Sequence, residues 1–310
     1  MNDERAPDPD QTAALIRGQF PQLAPVTVRY LGEGYDSTAF DVNGRWVFRF
    51  PKRVDVEQQL LTELRFLPRL VATPPPVPIP EYRFRGVPSA EFPRHFAGYA
   101  RLLGAPGIRH VPSAHDFQRL APALGRFLSW LHRFPIREAL RLEVPDQRSD
   151  TLADEIRAEA LADFPALGRV APDAPLDAWR RFLETGLGSR ASVSPASFSV
   201  VHNDLAAEHV LVDEPANAVT GVIDWSDVAI ADRAIDLAGI FHWGGAAFLE
   251  SVLSAYDGAV DDGLIARARY FAGCRGVLDV QFGLERDRRE YIEAGLRALR
   301  MAAGTEKLRT

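Results

Sequence analysis

The chain has 310 residues, 46% of them hydrophobic and 25% charged, enough for one large domain or two lobes. A formal net charge of −6 lacks the basic footprint of a nucleic-acid partner and is compatible with a cationic small molecule. Cys274 is the only cysteine, which excludes a disulfide framework and a cysteine zinc cluster.

The polar, acidic N-terminus lacks the apolar core of a signal peptide. No apolar run approaches the roughly 18 residues of a membrane span, so a soluble cytoplasmic protein with no membrane partner is expected. Residues 11–20 read as a short amphipathic helix with Ala14, Leu15 and Phe20 as apolar contacts. A strand at 26–31 leads into G-E-G-Y-D-S-T (32–38) and a second strand at 39–42. Asn43-Gly44 is a strong hairpin signal, and a third strand follows at 45–50. Gly32 and Gly34 would let backbone approach a phosphate closely, although two glycines alone more often mark an ordinary turn.

Pro51 stops the third strand. Residues 56–70 form a helix with Leu60, Leu61, Leu64 and Leu67 on a helical period and Glu63 among them. Arg49 and Glu63 are placed to pair across the intervening loop, though each alone reads as a solvated charge. T-P-P-P-V-P-I-P (73–80) is an extended connector. Strands at 82–84 and 96–103 end at G-A-P-G (104–107). That stop divides a β-rich lobe, 1–103, from a mainly helical lobe, 104–310.

Ser113 and Asp116 form a capping box ahead of a helix striped by Phe117, Leu120, Leu124, Phe127 and Leu131. His132 reads as a helix-terminal histidine. Residues 150–187 hold two helical segments broken by Pro165 and Pro172. Then comes V-V-H-N-D-L-A-A-E-H-V-L-V-D (200–213). Residues 210–212 and 219–223 are two short strands joined by a turn around Pro215 and Asn217. Asp204 and His209 precede the first strand and Asp224 closes the second. The hairpin can therefore bring all three together, a compact site for an acid/base group and a hard cation. Asp227 and Asp232 read as turn and cap residues. Asp236 is expected to turn inward and accept backbone N–H groups. Residues 248–300 read as three helices.

A phosphoryl-transfer site needs glycine-rich backbone or a cation for the phosphates, oxygen ligands for Mg²⁺ and a group near the acceptor hydroxyl. The 32–38 loop, Arg49, Asp224 and Asp204 supply these in turn. Competing chemistries lack parts: there is no G-x-S-x-G elbow, no H-E-x-x-H, and G-E-G-Y-D-S is followed by a strand where a dinucleotide fold needs a helix.

The strings V-H-N-D-L-A-A-E-H-V-L-V-D, G-V-I-D-W-S-D and D-R-A-I-D-L-A resemble the aminoglycoside phosphotransferase family of antibiotic kinases. The likeness is greatest to its 2''-aminoglycoside and macrolide branches and runs from residue 26 to 300. It implies an α+β, two-lobed protein-kinase-like fold with a small antiparallel sheet and a helical second lobe. ATP or GTP and Mg²⁺ are implied, with a small-molecule hydroxyl acceptor and a monomeric chain. By this resemblance Asp204 is the catalytic aspartate. Asp224 and His209 lie at the metal, and His202 and Asp236 brace the catalytic loop. Gly32, Gly34 and Ser37 cover the phosphates. Arg49 stands where the family usually has lysine, with Glu63 as its helix partner. Ala100 and Leu102 offer backbone groups to the base, beside a gatekeeper, Tyr99, whose bulk favours GTP. The acceptor wall is expected from His242, Trp243, Glu250, Glu285 and Asp287. An aminoglycoside acceptor is the first expectation and a macrolide the second. A metabolic kinase and a nucleotide-binding pseudokinase are further alternatives.

Overall fold

The computed structural model describes residues 6–149, 151–188, 193–213, 215 and 217–305. Residues 1–5, part of the N-terminal reading, lie outside them, as do Asp150, Glu214 and Ala216. Helix α1 (Pro9–Gln19) opens with a capping box between Asp8 and Gln11. Strands β1 (Val28–Glu33), β2 (Ser37–Val42) and β3 (Trp46–Pro51) follow as an antiparallel meander. The Asn43-Gly44 turn has φ values of 57° and 67°, the left-handed pair that a tight hairpin demands. Strands β4 (Tyr82–Gly86) and β5 (Phe96–Ala100) complete a five-stranded sheet of order β1-β2-β3-β5-β4. Phe20, Phe40, Phe48, Phe50, Phe84 and Phe96 fill its core. Stacked and edge-to-face rings supply that packing, with Phe50 and Phe96 only 4.6 Å apart.

Helix α2 (Val54–Leu70) carries Glu63 toward β3. The proline-rich connector buries Val77 and Ile79, and the Pro78 carbonyl accepts from the Val222 N–H at 2.9 Å. Strand β6 (Ala105–Pro106) pairs with β8 (Val210–Asp213), and β8 with β9 (Ala218–Val222). The expected 210–223 hairpin is therefore present, as the centre of a three-stranded sheet. Strand β7 (Phe198–Val201) pairs with β10 (Ala229–Asp232), a strand not expected from sequence, where only Asp232 was read, as a helix cap. Asp232 instead ends β10, fully buried against Arg267 at 2.6 Å, while its other oxygen accepts from the Ala234 N–H.

The second lobe is helical. Helices α3 (Ala114–His132) and α4 (Ile136–Arg141) precede α5 (Leu152–Asp163), α6 (Pro165–Val170) and α7 (Leu176–Thr185). Three segments stand where two were expected, because Pro165 opens α6 at a position needing no N–H donor. Helices α8 (Ala234–Leu253), α9 (Leu264–Arg286) and α10 (Arg289–Ala303) complete the lobe. Residues 240–248 are largely apolar because most of them lie in the core, with Ala246 and Ala247 exposed; α8 is kinked at Gly245, φ 72°. Among the described residues no helix is long and apolar enough to cross a membrane.

Helix α8 lies directly against the loop after β7. A Cβ at Gly239 would fall 1.5 Å from the Leu205 carbonyl oxygen. Backbone on both sides leaves no side chain to yield, so Gly239→Ala should push α8 from the loop. The expected destabilisation is about 3 kcal/mol, the upper part of the range for overpacking, read as a lowered urea midpoint at unchanged slope.

Candidate active site

The turn after β7 is His202-Asn203-Asp204. The His202 ring is fully buried, 4.8 Å from Trp225, with Nε2 3.0 Å from the Ile223 carbonyl. A carbonyl only accepts, so Nε2 carries the proton. Burial lowers the His202 pKa against the pull of Asp236, which favours the neutral ring. Asn203 has φ 70°, a conformation that costs a non-glycine residue on the order of 1 kcal/mol. Asp236, fully buried at the head of α8, holds it there. Its Oδ2 accepts from the His202 N–H at 3.0 Å and its Oδ1 from the Asn203 N–H at 2.9 Å. His132, at the end of α3, adds Nε2 at 3.1 Å from Asp236 Oδ2 and Nδ1 at 2.8 Å from the Tyr256 hydroxyl.

Asp204 is held by charge from two sides. His209 Nδ1 lies 2.8 Å from the Asp204 carbonyl and 3.3 Å from its Oδ2. Arg275 Nη1, on α9, donates to Oδ1 at 2.6 Å. Burial opposes ionisation, but Arg275 and then His209 outweigh it and keep the Asp204 carboxyl below its ordinary range. His209 bridges onward, with Nε2 3.8 Å from Asp224 Oδ2. Burial resists its charge, yet Asp204 and then Asp224 lift its pKa to about 9.

Asp224 also has left-handed backbone, φ 62°. Its Oδ1 accepts from Arg49 Nη2 at 2.7 Å and from the Ser226 hydroxyl at 3.0 Å. Burial is again overcome, chiefly by Arg49 and then His209, and Asp224 stays ionised well below the usual carboxylate range. Its side chain is 42% exposed, so solvent moderates these pairings. Arg49 Nη1 donates to Glu63 Oε1 at 2.8 Å, and the Tyr82 hydroxyl donates to Glu63 Oε2 at 2.6 Å. The Arg49–Glu63 pair expected from sequence thus forms, and Arg49 extends it to Asp224.

The 32–38 loop roofs this cluster. A Cβ at Gly32 or Gly34 would meet nothing within 4 Å, so the chain's own packing does not require glycine at either position. Lys52 Nζ donates to the Gly34 carbonyl at 2.8 Å. Tyr35 crosses to α9, its hydroxyl 2.5 Å from Glu285 Oε2 and its ring 5.0 Å from Phe282. Beneath lies a cavity of about 520 Å³ lined by Gly32, Gly34, Ser37, Arg49, Asp204, His209 and Asp224. Its other wall brings Glu159, Glu208, Asp279 and Glu285 together with Arg275, Leu278, Phe282 and Tyr291. Among the described residues no group of three or more His, Cys, Asp or Glu side chains is set to enclose a metal ion.

The phosphotransferase enzyme family profile matches residues 27–271. The chain belongs to this family. It is 28% identical over 194 residues to the viomycin phosphotransferase of Streptomyces vinaceus, covering 60% of this chain and 61% of that one. It is 26% identical to the aminoglycoside 3'-phosphotransferase of Streptomyces fradiae, covering 58% and 66%. The chain therefore spans roughly six tenths of the length of the curated relatives it matches. Among solved structures, the GDP complex of wild-type aminoglycoside 2'-phosphotransferase-IIIa superposes with a TM-score of 0.71 at 28% identity, over 96% of this chain and 99% of that one. A GDP and kanamycin complex of an APH(2") gives 0.68 at 27% identity, over the same shares. A macrolide 2'-phosphotransferase type I, at 24% identity and 0.61 over 94% and 96%, shares the fold. The two-lobed α+β architecture of the family is the one described above.

Several expected site residues stand elsewhere. Trp243 is buried, its Nε1 donating to the His110 carbonyl at 2.7 Å, and His242 is buried beneath α9. Neither lines the cavity, because the apolar run that carries them is the core of α8. Glu250 is exposed on α8, and Asp287 is exposed at the left-handed end of α9; neither reaches the cavity. Of the expected acceptor wall only Glu285 lines it. Tyr99 is buried against Tyr82, with ring centroids 5.4 Å apart, Ala100 is exposed and Leu102 packs over Gly221. None of the three lines this cavity.

Asp227, read as a turn residue, lines the cavity. Burial first, then the charges of Asp204 and Asp224, raise its pKa to about 7. A carboxyl bound more tightly to its proton in the folded state lowers stability as pH rises from the unfolded value of 3.8 to about 7, and by a constant amount above that. Asp227→Asn should accordingly raise the melting temperature at pH 8 and leave it nearly unchanged at pH 4, in scans without nucleotide or divalent cation.

Proposed function

We propose that this protein transfers the γ-phosphate of ATP or GTP to a hydroxyl of a cationic, aminoglycoside-like antibiotic. Residues 1–103 hold the nucleotide, and residues 104–310 carry the transfer site and the acceptor. One observation carries the reading. Asp204 and Asp224 meet in a single cleft beneath the 32–38 loop, joined through His209 and flanked by the Arg49–Glu63 pair. Relatives named for phosphoryl transfer to viomycin and aminoglycosides, and similar structures holding GDP, support it.

In this mechanism Asp204 orients the acceptor hydroxyl and takes its proton late, since the transition state is loose. Arg49, oriented by Glu63, moves from Asp224 to the phosphates. The open backbone at Gly32, Gly34 and Ser37 admits them closely. Ala100 and Leu102 present backbone groups to the base, and the bulk of Tyr99 favours GTP. Asp224 would hold Mg²⁺, which when bound neutralises phosphate charge. The donor chemistry fits: Asp224 is ionised, and Mg²⁺ needs only one or two carboxylates besides phosphate and water oxygens. His209, a nitrogen donor ill-suited to a hard ion, acts by hydrogen bonding.

Glu159, Glu208, Asp279 and Glu285 make the acceptor wall acidic, which suits ammonium groups. A macrolide is the second reading, favoured by Leu278, Phe282 and Tyr291 in the same wall. The chain works as a monomer in the cytoplasm.

Asp204→Asn should cut turnover at least about 100-fold while nucleotide affinity stays near the parent value. Asp224→Ala should abolish Mg²⁺-dependent nucleotide binding. Phosphorylated product from a panel of aminoglycosides and macrolides, scored with both nucleotides by mass spectrometry, checks the assignment. Parent-rate turnover by Asp204→Asn sinks it.

A further inference from the structure

The guanidinium of Arg275 stands on the proposed base. Nη1 donates to Asp204 Oδ1 at 2.6 Å and Nη2 to Glu208 Oε1 at 2.9 Å. The second Asp204 oxygen faces His209 Nδ1 at 3.3 Å. A hydroxyl that yields its proton to Asp204 needs an oxygen within about 2.6–3.2 Å; His209 Nδ1 donates instead to the Asp204 carbonyl at 2.8 Å, so the short bond on this carboxylate is the one from Arg275. Arg275 lines the cavity, with its side chain 24% exposed, so an entering ligand meets it directly.

A second seat for this side chain lies one helical turn along α9. Asp279 is 6% exposed and lines the same cavity. Its Oδ1 is 3.8 Å from Arg275 Nε, too long for a hydrogen bond. Arg275 Nε and Asp279 Oδ2 are buried without a hydrogen-bond partner among the described residues. His242 Nε2 is 3.0 Å from Asp279 Oδ2, but it is not aligned to bond. Buried polar atoms left unpaired are costly. Movement of Arg275 toward Asp279 would pair them and uncover Asp204 and Glu208. Glu208 would then lose its cation and Asp204 would keep His209 alone, and a buried charge stripped of its partner is strongly unfavourable.

We propose that Arg275 is a specificity-determining positioning residue. It covers Asp204 and Glu208 until an ammonium group of the acceptor takes its place and Arg275 moves onto Asp279. The inference rests on the transferase reading and adds how the acceptor is selected. A ligand shifts such an equilibrium only by binding one state better than the other. An ammonium group does so by pairing with the exposed carboxylates, whereas a neutral alcohol or water leaves them unpaired. Arg275 thereby occupies Asp204 Oδ1 in place of an attacking water, and nucleotide hydrolysis without acceptor is suppressed.

The test compares the full chain with Arg275→Ala, Arg275→Lys and Asp279→Asn. Kanamycin binding is measured by calorimetry, and nucleotide hydrolysis is measured without acceptor. If the covered state holds about nine tenths of the population, its loss in Arg275→Ala tightens kanamycin binding about tenfold. Hydrolysis without acceptor should rise in the same variant. Arg275→Lys keeps the charge but loses the fork that spans both carboxylates and should fall between the parent and Arg275→Ala in both measurements. Asp279→Asn removes the second seat and should weaken kanamycin binding. Kanamycin bound no more tightly by Arg275→Ala, with hydrolysis at or below the parent rate, overturns the proposal. Should Arg275→Ala fail to fold, Arg275→Gln gives the same comparison. Absence of phosphorylated product with every acceptor retires the transferase reading alone, because the calorimetry does not depend on turnover.

Discussion

Carboxylates crowded into one cleft are the constraint around which this structure is built. Asp204, Glu208, Asp224, Asp227 and Asp279 line a single cavity, and Glu63 lies just behind it. Without compensation such a cluster would protonate or spread apart. Arg49 from the sheet, Arg275 from α9 and His209 from the loop before β8 supply the compensation. Burial raises the pKa of Glu63 despite Arg49, and burial with the charges of Asp204 and Asp224 raises that of Asp227 to about 7. The cations are also the links between parts of the fold. Arg49 ties β3 to α2 and to the end of β9, and Arg275 ties α9 to the turn after β7.

The backbone is fixed independently of these charges. Asp236 bonds two successive N–H groups of the turn after β7, and the missing side chain at Gly239 lets α8 approach Leu205. Together they hold Asn203 in a conformation it would not choose alone. Asp204 is thus placed by backbone bonds and only tuned by its ionic neighbours. That division allows a charged side chain such as Arg275 to exchange partners without loss of the turn's shape.

The same electrostatics bear on the proposed chemistry. A nucleotide brings negative charge and a divalent cation positive charge, so Arg49 and Asp224, paired here with each other, have natural new partners. On the acceptor side Glu159, Glu208, Asp279 and Glu285 surround one arginine. That excess of acid accounts for an acceptor carrying ammonium groups better than the apolar run of α8 could. The aromatic pair Phe282 and Tyr291 gives the same wall a flat apolar face.

Local chemistry made much of the chain legible as sequence. Asn43-Gly44, the proline connector, the Ser113–Asp116 cap and the 210–223 hairpin are signals carried by a few adjacent residues, and each forms as read. Asp204, Asp224 and Asp236 sit in motifs whose spacing is itself the geometry, and Arg49 and Glu63 follow from a strand and helix of well-marked phase. Strand β10 was missed because its pairing with β7 depends on residues about thirty positions away. The acceptor wall was misplaced for a related reason. Most of the apolar run 240–248 is buried, and its composition could not reveal whether it faced a pocket or a core. Arg275, Asp279 and Glu159 carry no motif; they line the cavity only because α5 and α9 pack beside the turn after β7, with Asp204 71 residues before Arg275. Sequence alone determined which groups perform the proposed chemistry. Tertiary packing decided which charges surround them, because Coulomb energy depends on distance in space and not along the chain.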